Sequence, residues 1–199
     1  MKHLSPVTFV IPVYNRRDML EQCVDSVLAQ RSALWRVIIV DNGSTDGTSD
    51  LARSYADVDS RIKFLRNERN YGPVINWWRG IEAVETEWYK LLFSDDILHP
   101  DCLFSFLQTL KRVSIKEINA VLCQPVIGFS NNIHHFVSSN KVINPRQPSL
   151  IRTNELIVGM MVNKIPVSPC AYFFRKNSIL CSQFLSSVRL CSIKSEINI

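Results

Sequence analysis

The sequence predicts an α/β fold whose central sheet is mainly parallel and flanked by helices. Three observations predict it. Apolar runs of strand length alternate with helical periodicity from Val7 to Phe93. The runs are continuous rather than alternating, as strands covered on both faces are. Two of them end in acidic, turn-rich loops, Asp41-Asn42-Gly43-Ser44-Thr45-Asp46-Gly47 and Ser94-Asp95-Asp96. The carboxyl ends of parallel strands are where such sheets hold ligands.

Val7 to Val13 reads as a buried first strand. Asn15 or Asp18 is expected to cap a helix running to about Gln30, with Met19, Leu20, Cys23, Val27 and Leu28 on its inner face. Trp35 to Val40 is the second strand. Asp46-Gly47-Thr48 opens a second helix with Leu51, Ala52 and Tyr55 inward. Ile62 to Leu65 is the third strand. Asn70-Tyr71-Gly72-Pro73 is a turn, and Pro73 suits the first position of a helix from Val74 to Val84. Trp88 to Phe93 is the fourth strand. This βαβ series implies right-handed crossovers, so the ends of the first, second and fourth strands converge on one side. Beyond Asp96 the pattern weakens. A helix is expected from Pro100-Asp101 to about Lys111, a strand from Ala120 to Phe129, and a polar surface loop over 130–150. A helix is expected from Asn154 to Asn163 and a short strand over Ala171-Tyr172-Phe173-Phe174. The division is residues 1–110, a ligand-binding βαβ half, and residues 111–199, an acceptor-side region of the same single domain that is expected to be incomplete at the C-terminus.

Composition narrows the function. A chain of 199 residues, 46% apolar and 21% charged, is ordinary for one globular domain. No run approaches the roughly 18 apolar residues of a membrane span. The start, Met1 to Val7, lacks the pattern of a signal peptide, and the expected location is cytoplasmic. Six cysteines without a CxxC pair argue against a structural zinc or a disulfide scaffold. Charge is uneven. Residues 1–100 carry 12 basic and 14 acidic side chains, and residues 101–199 carry 11 and 4. The basic second half suits either a solvated face or peripheral contact with an anionic membrane. Nucleic acid is not expected, because no basic run is interleaved with aromatics.

Two constellations carry chemistry. Asp41 stands just past a buried strand, where a carboxylate can accept from a ring N–H or a ribose hydroxyl, and Asn42 to Gly47 allows tight turns and a helix N-terminus that binds anions. The alternative is a plain turn and helix cap. Asp95-Asp96 is suited to Mg²⁺ or Mn²⁺, which take oxygen ligands and are often held by one or two carboxylates plus substrate phosphates. The alternative is a cap for a helix at Ile97. No GxGxxG and no GxxxxGK[ST] is present, which removes the main support for dinucleotide and P-loop readings. His134-His135 reads as a solvated pair. Trp77-Trp78 could offer one stacking surface, with the other ring in the core.

Five segments together resemble the family 2 glycosyltransferases of the GT-A fold. They are Phe9-Val10-Ile11-Pro12-Val13-Tyr14-Asn15-Arg16, Ser26 to Gln30, Ile38 to Thr48, Asn70 to Pro73, and Ser94-Asp95-Asp96-Ile97-Leu98-His99-Pro100-Asp101. The likeness is close over residues 5–110. It implies transfer of a sugar, with inversion, from a nucleotide-diphospho-sugar donor to an acceptor hydroxyl on a saccharide or lipid-linked saccharide. The setting it implies is bacterial surface-polysaccharide synthesis at the inner face of the membrane. By resemblance, Pro12, Val13 and Tyr14 line the nucleotide pocket, Asp41 contacts the base, usually uracil, and Asn15, Asn42, Gly72, Asn76 and Ser94 complete the donor site. Asp95 falls on the last acid of the DXD motif, which holds Mg²⁺ or Mn²⁺, and Asp96 comes directly after it.

The chain departs from the pattern at three places. Phe93 stands where the first Asp of DXD is usual. Asn76-Trp77-Trp78-Arg79-Gly80 stands where Ala-Arg-Asn-x-Gly is common. Past Asp101 the acids are Glu117, Glu155 and Glu196, without the Glu-Asp pair that often holds the catalytic base. Removal of the acceptor proton contributes about 10²–10⁴-fold in such reactions. The rival expectation is therefore a truncated or inactive domain that binds donor without transferring the sugar. A nucleotidyltransferase is the third reading, disfavoured because Tyr14-Asn15-Arg16-Arg17 has the charge of a phosphate loop without its glycines.

Overall fold

A computed structural model describes residues 4–112, 120–122, 127–129, 132–136 and 169–176. Its elements in chain order are β1 (Val7–Val13), α1 (Arg17–Leu28), β2 (Trp35–Asp41), α2 (Thr48–Val58), β3 (Ile62–Arg66), α3 (Pro73–Glu82), β4 (Trp88–Leu91) and α4 (Cys102–Arg112). Then come β5 (Ala120–Leu122), β6 (Ile127–Phe129), β7 (Asn132–Phe136), a 3₁₀ turn (Pro169–Ala171) and β8 (Tyr172–Arg175).

The main sheet has the order β3-β2-β1-β4-β8-β5. β1 pairs parallel with β2 and with β4, and β2 pairs parallel with β3. The strand order reverses between β1 and β4, and a crevice opens at such a switch point. β8 is antiparallel to both β4 and β5, so residues from the second half of the chain extend the same sheet. β6 and β7 form a separate antiparallel pair.

Both faces of the sheet are covered, which explains the continuous apolar strands. On one face Phe9, Ile11, Val37 and Ile39 pack with Leu20, Cys23, Val24 and Val27 of α1, Ala52 of α2, and Leu103, Phe106 and Leu107 of α4. Phe173 of β8 closes this layer. Its ring stacks on Phe106 at 4.0 Å and meets Phe9 edge-on at 6.1 Å. On the other face Val10, Ile38, Val40 and Leu91 pack with Ile81 and Val84 at the end of α3. Gly80 permits that approach: a Cβ there would lie 2.4 Å from Val10 Cγ1 and 2.8 Å from Val40 Cγ2.

Most expected elements are present, with instructive differences. In α1 the buried stripe is Leu20, Cys23, Val24 and Val27, the i, i+3, i+4, i+7 set. Met19 and Leu28 lie off that stripe and are exposed. No side chain caps α1. Asn15, one of the two expected caps, takes a left-handed φ of 49° instead. The expected strand from Ala120 to Phe129 is two short strands in different sheets, and the expected loop over 130–150 contains β7, which holds His134 and His135. No helix starts at Ile97. The turn after β4 closes with Asp96 N–H donating to the Phe93 carbonyl at 2.9 Å, and the next helix begins at Cys102, so the capping alternative for Asp96 does not apply. Of the two indoles, Trp77 packs against the second apolar layer, but neither is fully buried. The expected helix over 154–163 and the tail from Cys181 lie outside the described residues.

Candidate donor-binding cleft

A cleft of about 340 Å³ opens at the carboxyl ends of β1, β2 and β4. Its lining runs from Pro12, Val13 and Tyr14 at the end of β1 to Phe93, Ser94 and Asp95 after β4. Asn42, Asn70, Asn76 and Trp77 form the opposite wall. Among the sequence-predicted site residues, the fold therefore brings Pro12, Val13, Tyr14, Asn42, Asn76, Ser94 and Asp95 together. Arg16, Asn70, Pro73 and Phe93 join them without having been expected there, and Trp77 joins them as one of the two indoles weighed as a stacking surface.

Asn15, Asp41, Gly72 and Asp96 do not line the cleft, each for a visible reason. Asn15 ties two loops together: its N–H donates to Ser44 Oγ at 2.9 Å, and its Oδ1 accepts from the Thr45 N–H at 2.9 Å. Asp41 is fully buried. Its carboxylate accepts from the Ser44 N–H at 3.1 Å, from Ser44 Oγ at 2.5 Å and from the Ser49 hydroxyl, with Arg66 Nε at 3.6 Å. A carboxylate so occupied organises its own loop. Gly72 serves through its backbone, taking φ of 83° ahead of α3 and accepting from Asn42 Nδ2 at 3.1 Å. Asp96 lies on the far side of the turn, beside Cys170. Burial first, and then the Asp96 charge, pushes the Cys170 thiol up to about 12.

Four amides build the wall opposite β1. Asn42 Nδ2 donates to Asn70 Oδ1 at 2.7 Å, and Asn42 Oδ1 accepts from Asn67 Nδ2 at 2.8 Å and from the Tyr71 N–H at 3.0 Å. Asn67 Nδ2 also reaches Asn76 Oδ1 at 3.0 Å, and Asn76 Nδ2 donates to the Val40 carbonyl at 2.9 Å. Arg79 Nη1 donates to Asn67 Oδ1 at 2.5 Å, and no buried side-chain polar atom among the described residues lacks a partner. A satisfied buried network of this kind fixes a unique geometry. Trp77 continues the wall as an apolar surface, its ring 5.0 Å from that of Phe93.

The β4 side is different in kind. Asp95 is half-exposed and carries one ion pair, Arg16 Nη1 to Asp95 Oδ2 at 2.8 Å. The described residues hold no group of three His, Cys, Asp or Glu side chains that could enclose a cation. Asp95 nonetheless suits Mg²⁺ or Mn²⁺ as a single carboxylate, the arrangement in which phosphate oxygens and water complete the shell. The expected second ligand, Asp96, is not among the residues that line the cleft.

A family model for glycosyl transferase family 2 matches residues 8–178. The chain belongs to this family. Among curated relatives, the succinoglycan biosynthesis protein ExoO of Rhizobium meliloti is 36% identical over 97 residues, 49% of this chain and 27% of that protein. The chain spans less than half the length of the curated relatives it matches. Among solved structures, Staphylococcus aureus TarS 1-349 superposes with a TM-score of 0.67 at 20% identity, covering 85% of this chain and 47% of that one. The mannosyltransferase PcManGT of Pyrobaculum calidifontis, solved with GDP-Man and Mn²⁺, gives 0.53 at 20% identity over 61% of this chain and 36% of its own. The fold is the GT-A fold of these glycosyltransferases.

Sequence reasoning missed Arg16 and Phe93 as cleft residues, and it did not pair Trp77 with Phe93. Both were visible as departures or as loop charge, but the pairings join positions 79 and 16 residues apart. Only the fold supplies them.

Proposed function

We propose that this chain is the donor-binding part of a glycosyltransferase that moves a sugar from a nucleotide-diphospho-sugar to an acceptor hydroxyl with inversion. The observation that carries the reading is the cleft at the β1/β4 switch point, which joins an apolar and amide wall to a charged edge. The two halves match the two halves of such a donor. Pro12, Val13 and Tyr14 would hold the planar base against the amide wall, and the Asp95–Arg16 edge would meet the diphosphate. A divalent cation held by Asp95 would neutralise charge on the departing diphosphate. The remaining work falls to this chain's own groups: Asn42 and Asn76 fix the wall, Ser94 stands beside the diphosphate, and Trp77 with Phe93 keeps water from one side.

The structural neighbours support nucleotide-sugar chemistry without choosing a base. TarS has been solved with UDP and with UDP-GlcNAc, and PcManGT with GDP-Man. We favour a uracil donor, an acceptor that is a saccharide or lipid-linked saccharide, and work at the inner face of the bacterial membrane. The name of ExoO supports a polysaccharide setting. No helix among the described residues is long and apolar enough to cross a membrane.

One observation favours a second reading, a domain that binds donor without transferring it. Among the described residues, Asp95 is the one carboxylate that lines the cleft, and it is ion-paired. Isothermal titration of UDP and GDP, each with Mn²⁺ and with EDTA, tests donor binding. Binding of either nucleotide that strengthens with Mn²⁺ is expected, and no binding in any arm would overturn the proposal. Release of free sugar from a bound donor then separates a transferring domain from a binding one.

A further inference from the structure

Arg16 is the one cationic side chain lining the cleft among the described residues, and it is held on the one carboxylate there. Its backbone is pinned. The Arg16 N–H donates to Thr48 Oγ1 at 3.1 Å, and the Arg16 carbonyl accepts from the Leu20 N–H at 2.9 Å at the start of α1. Its neighbours are tied as well, Asn15 to Ser44 and Thr45, and Arg17 N–H to Asp46 Oδ2 at 3.3 Å. Only the guanidinium is left to move, and it is about half exposed, as Asp95 is. An ion pair at this exposure is weak and costs little to break.

A divalent cation and a guanidinium cannot share Asp95 Oδ2. They carry like charge and would sit within a few ångströms of one another. Once released, Arg16 remains in a cleft that is to receive a diphosphate, and its planar fork matches phosphate oxygens. We infer that Arg16 alternates between two anions: it occupies Asp95 while the cleft is empty, and turns to the donor diphosphate when Asp95 takes the cation. The inference rests on the donor-site reading above. It assigns to Arg16 both a block on metal entry and a contact to the donor, and these predict effects of opposite sign on two ligands.

The test uses Arg16→Gln, which keeps length and polarity but not charge, and Arg16→Lys, which keeps charge without the fork. Free Mn²⁺ is tracked by electron paramagnetic resonance, and UDP and GDP binding at saturating Mn²⁺ by calorimetry. Circular dichroism checks that each variant is folded. In Arg16→Gln, Mn²⁺ alone should bind about threefold more tightly. The nucleoside diphosphate that the unaltered chain binds should bind about tenfold more weakly at saturating Mn²⁺. Arg16→Lys should fall between on both. If the two affinities stay unchanged, or move in the same direction, the exchange is wrong while the donor site stands. If the unaltered chain binds neither UDP nor GDP, with or without Mn²⁺, the donor-site reading fails and this inference with it.

Discussion

Asp41 ends β2 and Asp95 lies in the turn after β4, and both belong to acidic, turn-rich loops, yet they have opposite fates. Asp41 is fully buried and spends its oxygens on Ser44 and Ser49. Asp95 is half-exposed and, among the described residues, holds one ion-pair partner, Arg16. The difference lies in the loop residues next to each acid. After Asp41 the chain places Gly43 at φ of 78° and Gly47 at φ of 87°, which curls hydroxyls and N–H groups back onto the carboxylate. After Asp95 no such curl occurs. An acid at a strand end is therefore a ligand candidate only when its own loop leaves it unsatisfied.

The largest effect that would break this comparison is on stability. Asp41→Ala should destabilise the fold by about 3 kcal/mol, because it leaves the Ser44 and Ser49 donors buried without an acceptor. Urea unfolding measures this, and a loss below that of an ordinary surface change would refute the structural role. Gly80→Ala comes next, at about 2 kcal/mol, since α3 would have to lift from Val10 and Val40. It sharpens the comparison because α3 carries Asn76, which holds the Val40 carbonyl next to Asp41. Asp95→Ala should leave stability within about 0.5 kcal/mol. It should remove the Mn²⁺-dependent gain in nucleoside diphosphate affinity, about tenfold or 1.4 kcal/mol, read by calorimetry.

The smallest expected effect concerns Asp46, an intermediate case in the Asp41 loop. Desolvation pushes its carboxyl up, but hydrogen bonds donated by the Thr48 hydroxyl and N–H and by the Arg17 N–H outweigh it and hold it below the ordinary value. A carboxyl depressed in the folded state adds stability above its unfolded value of about 3.9 and loses it as pH falls through the folded one. The stability gap between the unaltered chain and Asp46→Asn should therefore be constant at neutral pH and close below about pH 4. A gap that persists unchanged in acid would show that the charge is not what the loop uses.

Much of the parallel half was legible because burial on both faces writes itself as unbroken apolar strands. The bounds of β1 and the start of α3 at Pro73 are where the sequence put them. The convergence of the three strand ends came from topology alone. What was not legible depended on packing between distant residues. Met19 and Leu28 satisfy helical spacing as well as Val24 does, and only the position of the sheet decides which is covered. The apolar stretch from Ala120 to Phe129 supplies two strands to two sheets, a division that periodicity cannot carry. Within the site, an acid's identity was readable and its orientation was not. Asp96 differs from Asp95 only by the direction in which the turn points it.

The amide wall has a consequence for how the cleft responds to its surroundings. Asn42, Asn67, Asn70 and Asn76 carry no formal charge and do not titrate, so ionic strength leaves the contacts among them untouched, and among the described residues the wall's one charged partner is Arg79, which donates to Asn67 Oδ1 at 2.5 Å. The Arg16–Asp95 edge, half in solvent, is weakened by salt. One side of the cleft is thus a fixed mould and the other a screened electrostatic latch. Added salt should loosen the grip on a diphosphate while sparing the grip on a base.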